Sequence, residues 1–139
     1  MPTRIDYFLD TNVLIYAALG RNHQETKRAI AHDLIVNARF GLSTQVLQEF
    51  YTNAIRKSPV PLTHAEAIEW MDNLELQECV TVDKPLIKIA IEISQRYRIS
   101  YWDGAILAAA ERLGAEVVYT EDLSHGQSYG PVRVINPFV

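Results

Sequence analysis

Short apolar segments alternate with stretches of helical periodicity along the whole chain, and that alternation constrains the fold more than any other feature of the sequence. Residues 5–9, 79–82, 116–119 and 132–135 have the length and apolar, largely β-branched content of strands. Residues 5–9 are mostly apolar rather than alternating, as suits a strand covered on both faces. Between the strands lie predicted helices. One spans 11–19 and stops at Gly20, and a second spans about 23–40 and stops at Gly41. After a brief apolar step at Leu42, Ser43 or Thr44 caps a third that reaches Lys57 before Pro59 and Pro61. Thr63 and Glu66 make a capping box ahead of Ala67, Ile68, Met71 and Leu74. Asp83 caps a helix with Pro85 in its first turn, and the last helix runs from near Trp102 to Gly114.

Strands separated by helices pair in parallel, with helices on both faces of the sheet and right-handed crossovers. The expected architecture is therefore α/β. At 139 residues, without linker, repeat or low-complexity tract, a single domain spanning 1–139 is expected. No apolar run approaches the roughly 20 residues of a membrane span, and residues 1–10 lack the features of a secretion signal. Cys79 is the lone cysteine, which excludes an internal disulfide and fits a reducing cytoplasm. A net charge of −4 excludes a surface that grips nucleic acid everywhere; such a partner needs a local basic patch or a bound cation.

In sheets of this kind ligands bind beyond the carboxyl ends of the strands, where strand order reverses. Asp10 directly follows the first strand, and Asp122 follows the 116–119 strand by three residues. Asp103 opens the last helix, and Glu49 lies on the third. There Val46, Leu47, Phe50 and Ala54 form the core stripe, while Gln45, Glu49, Thr52, Asn53 and Arg56 form a polar flank. Taken singly, Asp10 and Asp103 read as helix caps, Glu49 as a solvated residue and Asp122 as a turn residue. Taken together they read as an oxygen-ligand set for a hard divalent cation, because like charges converge only with such compensation. The residues alone leave both readings open. Asp83 reads as a cap only.

The sequence resembles a PIN domain, and within that group a VapC-type toxin. The resemblance rests on residues 8–14 (FLDTNVL), 43–51 (STQVLQEFY), 102–106 (WDGAI), 119–123 (YTEDL) and the closing 134–138 (VINPF). Each motif is short, but their order and spacing cover essentially the whole chain. The resemblance implies a single PIN-like domain with a central parallel sheet of about four or five strands. It implies a metal-dependent endoribonuclease that hydrolyses single-stranded regions of RNA, with Mg²⁺ or Mn²⁺ held by Asp10, Glu49, Asp103 and Asp122. Thr11, Asn12 and Thr120 would orient those ligands, with Glu121 assisting or substituting for Asp122. The reaction implied is in-line attack by water, leaving a 5′-phosphate and a 3′-hydroxyl, with Asp103 or Asp122 taking the proton. Its partners would be a cognate antitoxin whose tail fills the active-site groove, and in many relatives a second copy of the toxin.

For RNA contacts the sequence offers Arg56, Lys57 and His125, besides a basic group at Arg21, Lys27 and Arg28. Tyr51, Trp70 and Trp102 are aromatic enough to stack on bases, but packing explains them equally. Two other classes fit the sequence less well. A haloacid-dehalogenase-like phosphohydrolase needs a second Asp where Asn12 stands. A non-catalytic RNA- or protein-binding PIN-like domain would be expected to lack one of the four acidic residues, and none is missing.

Overall fold

The computed structural model describes residues 5–20, 24–56 and 60–139. A six-stranded sheet in the order β3-β2-β1-β4-β6-β5 runs through the centre. Its strands are β1 (Tyr7–Leu9), β2 (Phe40–Ser43), β3 (Glu78–Val80), β4 (Val117–Tyr119), β5 (Ser128–Tyr129) and β6 (Val132–Ile135). The helices are α1 (Thr11–Leu19), α2 (Glu25–Val36), α3 (Thr44–Ala54), α4 (His64–Leu74), α5 (Lys84–Tyr97) and α6 (Tyr101–Arg112).

The sheet has six strands where about four or five were expected; five of them pair in parallel. The sixth, β5, is an antiparallel addition hairpinned onto β6, with Gly130 at φ 63° in the turn. Two residues long, it carries too little pattern to be legible in sequence.

Chain direction sorts the helices. From β1 the chain moves outward to β2 and β3, then returns past β1 to β4. With right-handed crossovers that reversal puts α1 to α4 on one face and α5 with α6 on the other. Between these layers Phe8, Leu9, Leu42, Val118 and Val134 are fully buried. β1 thus sits at the sheet's centre, beside β4, at the switch in strand order.

Several boundaries differ from expectation. The second helix ends at Val36, not Phe40, and Phe40 and Gly41 belong to β2. Gly41 is no helix stop. A Cβ there would lie 2.7 Å from Ile5 Cδ1 and 2.8 Å from Leu113 Cδ1, so the strand needs its missing side chain. His23, the expected start of α2, lies outside the described residues. α3 stops at Ala54, short of Lys57. The third strand is Glu78–Val80 rather than 79–82, and the Val82 N–H donates to Thr44 Oγ1 at 3.0 Å instead of to a neighbouring strand. The capping box at Thr63 and Glu66 forms as expected.

Candidate active site

Asp10 is the first residue beyond the central strand. Its backbone N–H donates to Tyr119 O of β4 at 3.1 Å, which ties the ends of the two strands together. Its side chain caps α1: Oδ1 accepts from the Thr11 N–H at 2.7 Å, and Oδ2 accepts from the Thr120 hydroxyl at 2.8 Å. Asp10 is only 5% exposed. Burial pushes its carboxyl up to about 7; the hydrogen bonds from Thr120 and Thr11 oppose the rise, and the charges of Asp122 and Glu49 add to it. Asp10 thus caps α1 and at the same time feels the charges of Asp122 and Glu49. The sequence presented cap and acidic set as alternatives.

Two threonines and an asparagine connect the other carboxylates to Asp10. Thr11 Oγ1 donates to Glu49 Oε1 at 2.9 Å. Asn12 Nδ2 donates to Thr120 Oγ1 and to Asp122 Oδ2, both at 3.1 Å. Thr120 Oγ1 also accepts the Asp122 N–H at 3.1 Å. Thr11, Asn12 and Thr120 therefore touch the residues they were expected to orient.

Asp103 enters from the opposite helical layer. The cap of α6 is Ser100, whose Oγ accepts the Asp103 N–H at 3.0 Å. The helix begins at Tyr101, so Asp103 lies in the first turn and does not open it. The reading of Asp103 as a cap is corrected: Ser100 already satisfies that helix end, and the carboxylate is left for other work. Burial raises its proton affinity, a hydrogen bond with Ser100 lowers it, and the charge of Asp122 raises it further. The neighbouring Gly104 lets α6 approach α5, since a Cβ there would lie 2.6 Å from Ala90 O.

Gln45 belongs to the polar flank of α3 by its helical position, yet it is 6% exposed. Its Nε2 donates to Trp102 O at 3.3 Å, which locks the start of α3 to the residue before Asp103. Its Oε1 has no hydrogen-bond partner among the described residues. Its position one turn before Glu49 was the only signal in the sequence.

Of the two roles open to Glu121, the side-chain contacts oppose substitution for Asp122 and leave assistance open. The Glu121 carboxylate binds the Tyr16 hydroxyl at 2.7 Å and Lys27 Nζ at 3.4 Å, so it does not stand in for Asp122. The reason is tertiary: Tyr16 and Lys27, far off in sequence, draw the Glu121 carboxylate out of the bend that carries Asp122. Arg56 is exposed in the turn after α3 rather than on the Glu49 stripe of the helix, which has ended. Lys57 lies outside the described residues. His125 accepts the Asn136 N–H on Nδ1 at 2.9 Å, anchoring the segment after β6. Of the aromatics, Trp70 packs on Phe50 and Tyr51 meets His64, whereas Trp102 is 62% exposed beside Asp103.

Among the described residues, no group of three or more Asp, Glu, His or Cys side chains is drawn together closely enough to hold a metal ion by itself. Hydrogen bonds through Thr11, Asn12 and Thr120 instead link Asp10, Glu49 and Asp122, and the charge of Asp122 reaches Asp103. All their ligand atoms would be oxygens, and Asp10 is buried with two hydroxyl or amide donors and, among the described residues, no basic side chain among the groups that influence it. Such a set fits Mg²⁺ or Mn²⁺, which keep several waters and need few protein carboxylates; it would not suit an ion that demands a closed protein cage. The N-termini of α1 and α6 add positive ends of helix dipoles close to Asp10 and Asp103. A cavity of about 500 Å³ between α2 and α4, lined by Ile35, Phe40, Trp70 and Leu74 among others, includes none of the four acids.

The sequence matches the PIN domain profile over residues 7–127. The chain belongs to the PIN domain family. Its fold resembles a toxin–antitoxin complex from Klebsiella pneumoniae, with TM-score 0.67 and 18% identity over 95% of this chain and 98% of that one. It is similar to Mycobacterium tuberculosis VapC20, a Sarcin-Ricin loop cleaving toxin, with TM-score 0.68 and 19% identity over 92% and 99% of the two chains. It also resembles FitAcB from Neisseria gonorrhoeae, with TM-score 0.63 and 23% identity over 95% and 98%. No curated protein matches the sequence significantly. Among the described residues no helix is long and apolar enough to cross a membrane.

Proposed function

We propose that this protein is a metal-dependent endoribonuclease, hydrolysing phosphodiester bonds in single-stranded regions of RNA, and the toxin of a type II toxin–antitoxin pair in the cytoplasm. The observation that carries the reading is the joining of Asp10, Glu49 and Asp122 through Thr11, Asn12 and Thr120 at the carboxyl ends of β1 and β4, with Asp103 near enough to feel the charge of Asp122. Similarity in fold to a toxin that cleaves an RNA loop supports RNA as the substrate.

Asp10, Asp103 and Asp122, with Glu49 behind Thr11, would hold the cation. A bound Mg²⁺ or Mn²⁺ would supply Lewis-acid stabilisation of the scissile phosphate and activation of water. The protein's part is to fix the acids. Thr11 and Thr120 leave Asp10 with one orientation, and Asn12 does the same for Asp122. Asp103 or Asp122 remains to orient the attacking water and accept its proton. Exposed Trp102 offers a face on which a splayed base can stack. Arg56 and Lys57 are proposed to meet flanking phosphates, and His125 the strand on the side of Asp122. A cognate antitoxin would silence the site, and a homodimer would cover Ile87 and Ile91, which α5 exposes.

The test is cleavage of a structured RNA by purified protein freed of any partner. Cleavage with Mg²⁺ or Mn²⁺, abolished by excess EDTA and by Asp103→Asn, is expected, with 5′-phosphate ends. Activity that survives rigorous chelation sinks the metal reading. A 2′,3′-cyclic phosphate means attack by ribose rather than by water.

A further inference from the structure

Glu121 lies between two residues of the site, and its carboxylate is turned away from it. Oε1 accepts from the Tyr16 hydroxyl at 2.7 Å, and Oε2 lies 3.4 Å from Lys27 Nζ. Lys27 Nζ also donates to the Tyr16 hydroxyl at 3.1 Å. The ammonium stands 4.6 Å from the centroid of the Tyr16 ring and 5.5 Å from that of Phe138. Those two rings meet edge to face at 4.8 Å. Four stretches of chain converge here: α1, α2, the segment after β4 and the residues after β6.

An ion pair this exposed adds little stability by itself. Its position gives it consequence. Tyr16 is one helical turn beyond Asn12, on the same face of α1. Asn12 holds Asp122 Oδ2 through Nδ2, and its Oδ1 accepts the Glu121 N–H at 3.4 Å. One face of α1 therefore grips this segment twice, by the backbone at Asn12 and by the Glu121 side chain at Tyr16. Asp122 itself is exposed, so its placement depends on these grips.

We infer that Tyr16, Lys27 and Glu121 form a positioning latch that holds Asp122 in place for a divalent cation. The inference rests on the proposed metal-dependent reading. Tyr16 is its informative member, because its hydroxyl both donates to Glu121 and accepts from Lys27 while carrying no charge. Contacts behind metal ligands commonly change affinity by about 10–100-fold.

The test is Mn²⁺ binding to the full chain, stripped of metal, followed by electron paramagnetic resonance and calorimetry at constant ionic strength. Wild type, Tyr16→Phe and Lys27→Met are compared below the melting temperature of each, with circular dichroism confirming the fold. Tyr16→Phe is expected to weaken Mn²⁺ binding by about 10-fold. Lys27→Met removes a positive charge and would tighten cation binding if charge alone mattered; the latch requires it to weaken binding. Wild-type affinity in Tyr16→Phe, or tighter binding in Lys27→Met, overturns the latch while leaving the metal site intact. Should wild type itself bind no Mn²⁺, the metal-dependent reading falls and the latch falls with it.

Discussion

Replacing Asp10 by Asn should change how the metal-free protein's stability depends on pH. Asp10 ionises at 3.8 in an unfolded chain and at about 7 in the fold, chiefly because burial disfavours its charge. Between those values the folded state holds a proton that the unfolded state has released. Stability therefore falls as pH rises through this window, by up to about 1.4 kcal/mol per pH unit, and levels off above pH 7. The full cost of holding Asp10 ionised without a cation is about 4 kcal/mol, and roughly 2.5 kcal/mol of it develops between pH 5 and pH 8.

Asn cannot titrate, so Asp10→Asn should lack this component. It can still cap α1. Its amide suits the Thr120 hydroxyl poorly, because that oxygen already accepts from Asn12 and from the Asp122 N–H. That penalty does not vary with pH and cancels when slopes are compared. Urea unfolding in EDTA at pH 5, 6, 7 and 8, at constant ionic strength, measures both proteins. Wild type should lose roughly 2.5 kcal/mol more than the variant across the series. Mg²⁺ at pH 8 should restore stability to wild type and do little for Asp10→Asn. Parallel pH profiles would refute the argument, since Asp10 would then be ionised in the fold without cost.

Other residues separate structural from functional roles. Asp83→Asn should leave toxicity and RNA cleavage intact, because Asp83 caps α5 and pairs with Arg112 on the surface, whereas Asp10→Asn at matched expression should abolish both. Gly104→Ala should destabilise the fold by roughly 1–3 kcal/mol despite the better helix former, read by thermal or urea unfolding, because the added carbon meets the Ala90 carbonyl. Trp102→Ala should raise KM for RNA while leaving the melting temperature and Mn²⁺ affinity unchanged; an unaltered KM removes it from the substrate path.

Much of the fold was legible because its signals are local. Asp83 before Pro85, Thr63 before Glu66 and the apolar run at Phe8 and Leu9 each depend on a few adjacent residues. The four acids were legible as candidates because two follow strands and two lie on helices, and the family resemblance supplied their grouping. Their electrostatics were not, since the proton affinity of Asp10 comes from burial by segments distant in sequence. Gly41 read as a helix stop, and only the approach of Ile5 and Leu113 shows why a glycine stands in that strand. Asp103 read as a cap until Ser100 took that role. Glu121 and Asp122 are adjacent acids in sequence; Tyr16 and Lys27, about a hundred residues earlier, draw one away and leave the other in the cleft. Sequence determines periodicity and capping because they act over one turn or one strand. Which carboxylates meet, and which are neutralised, depends on contacts that exist only once the sheet has closed around β1.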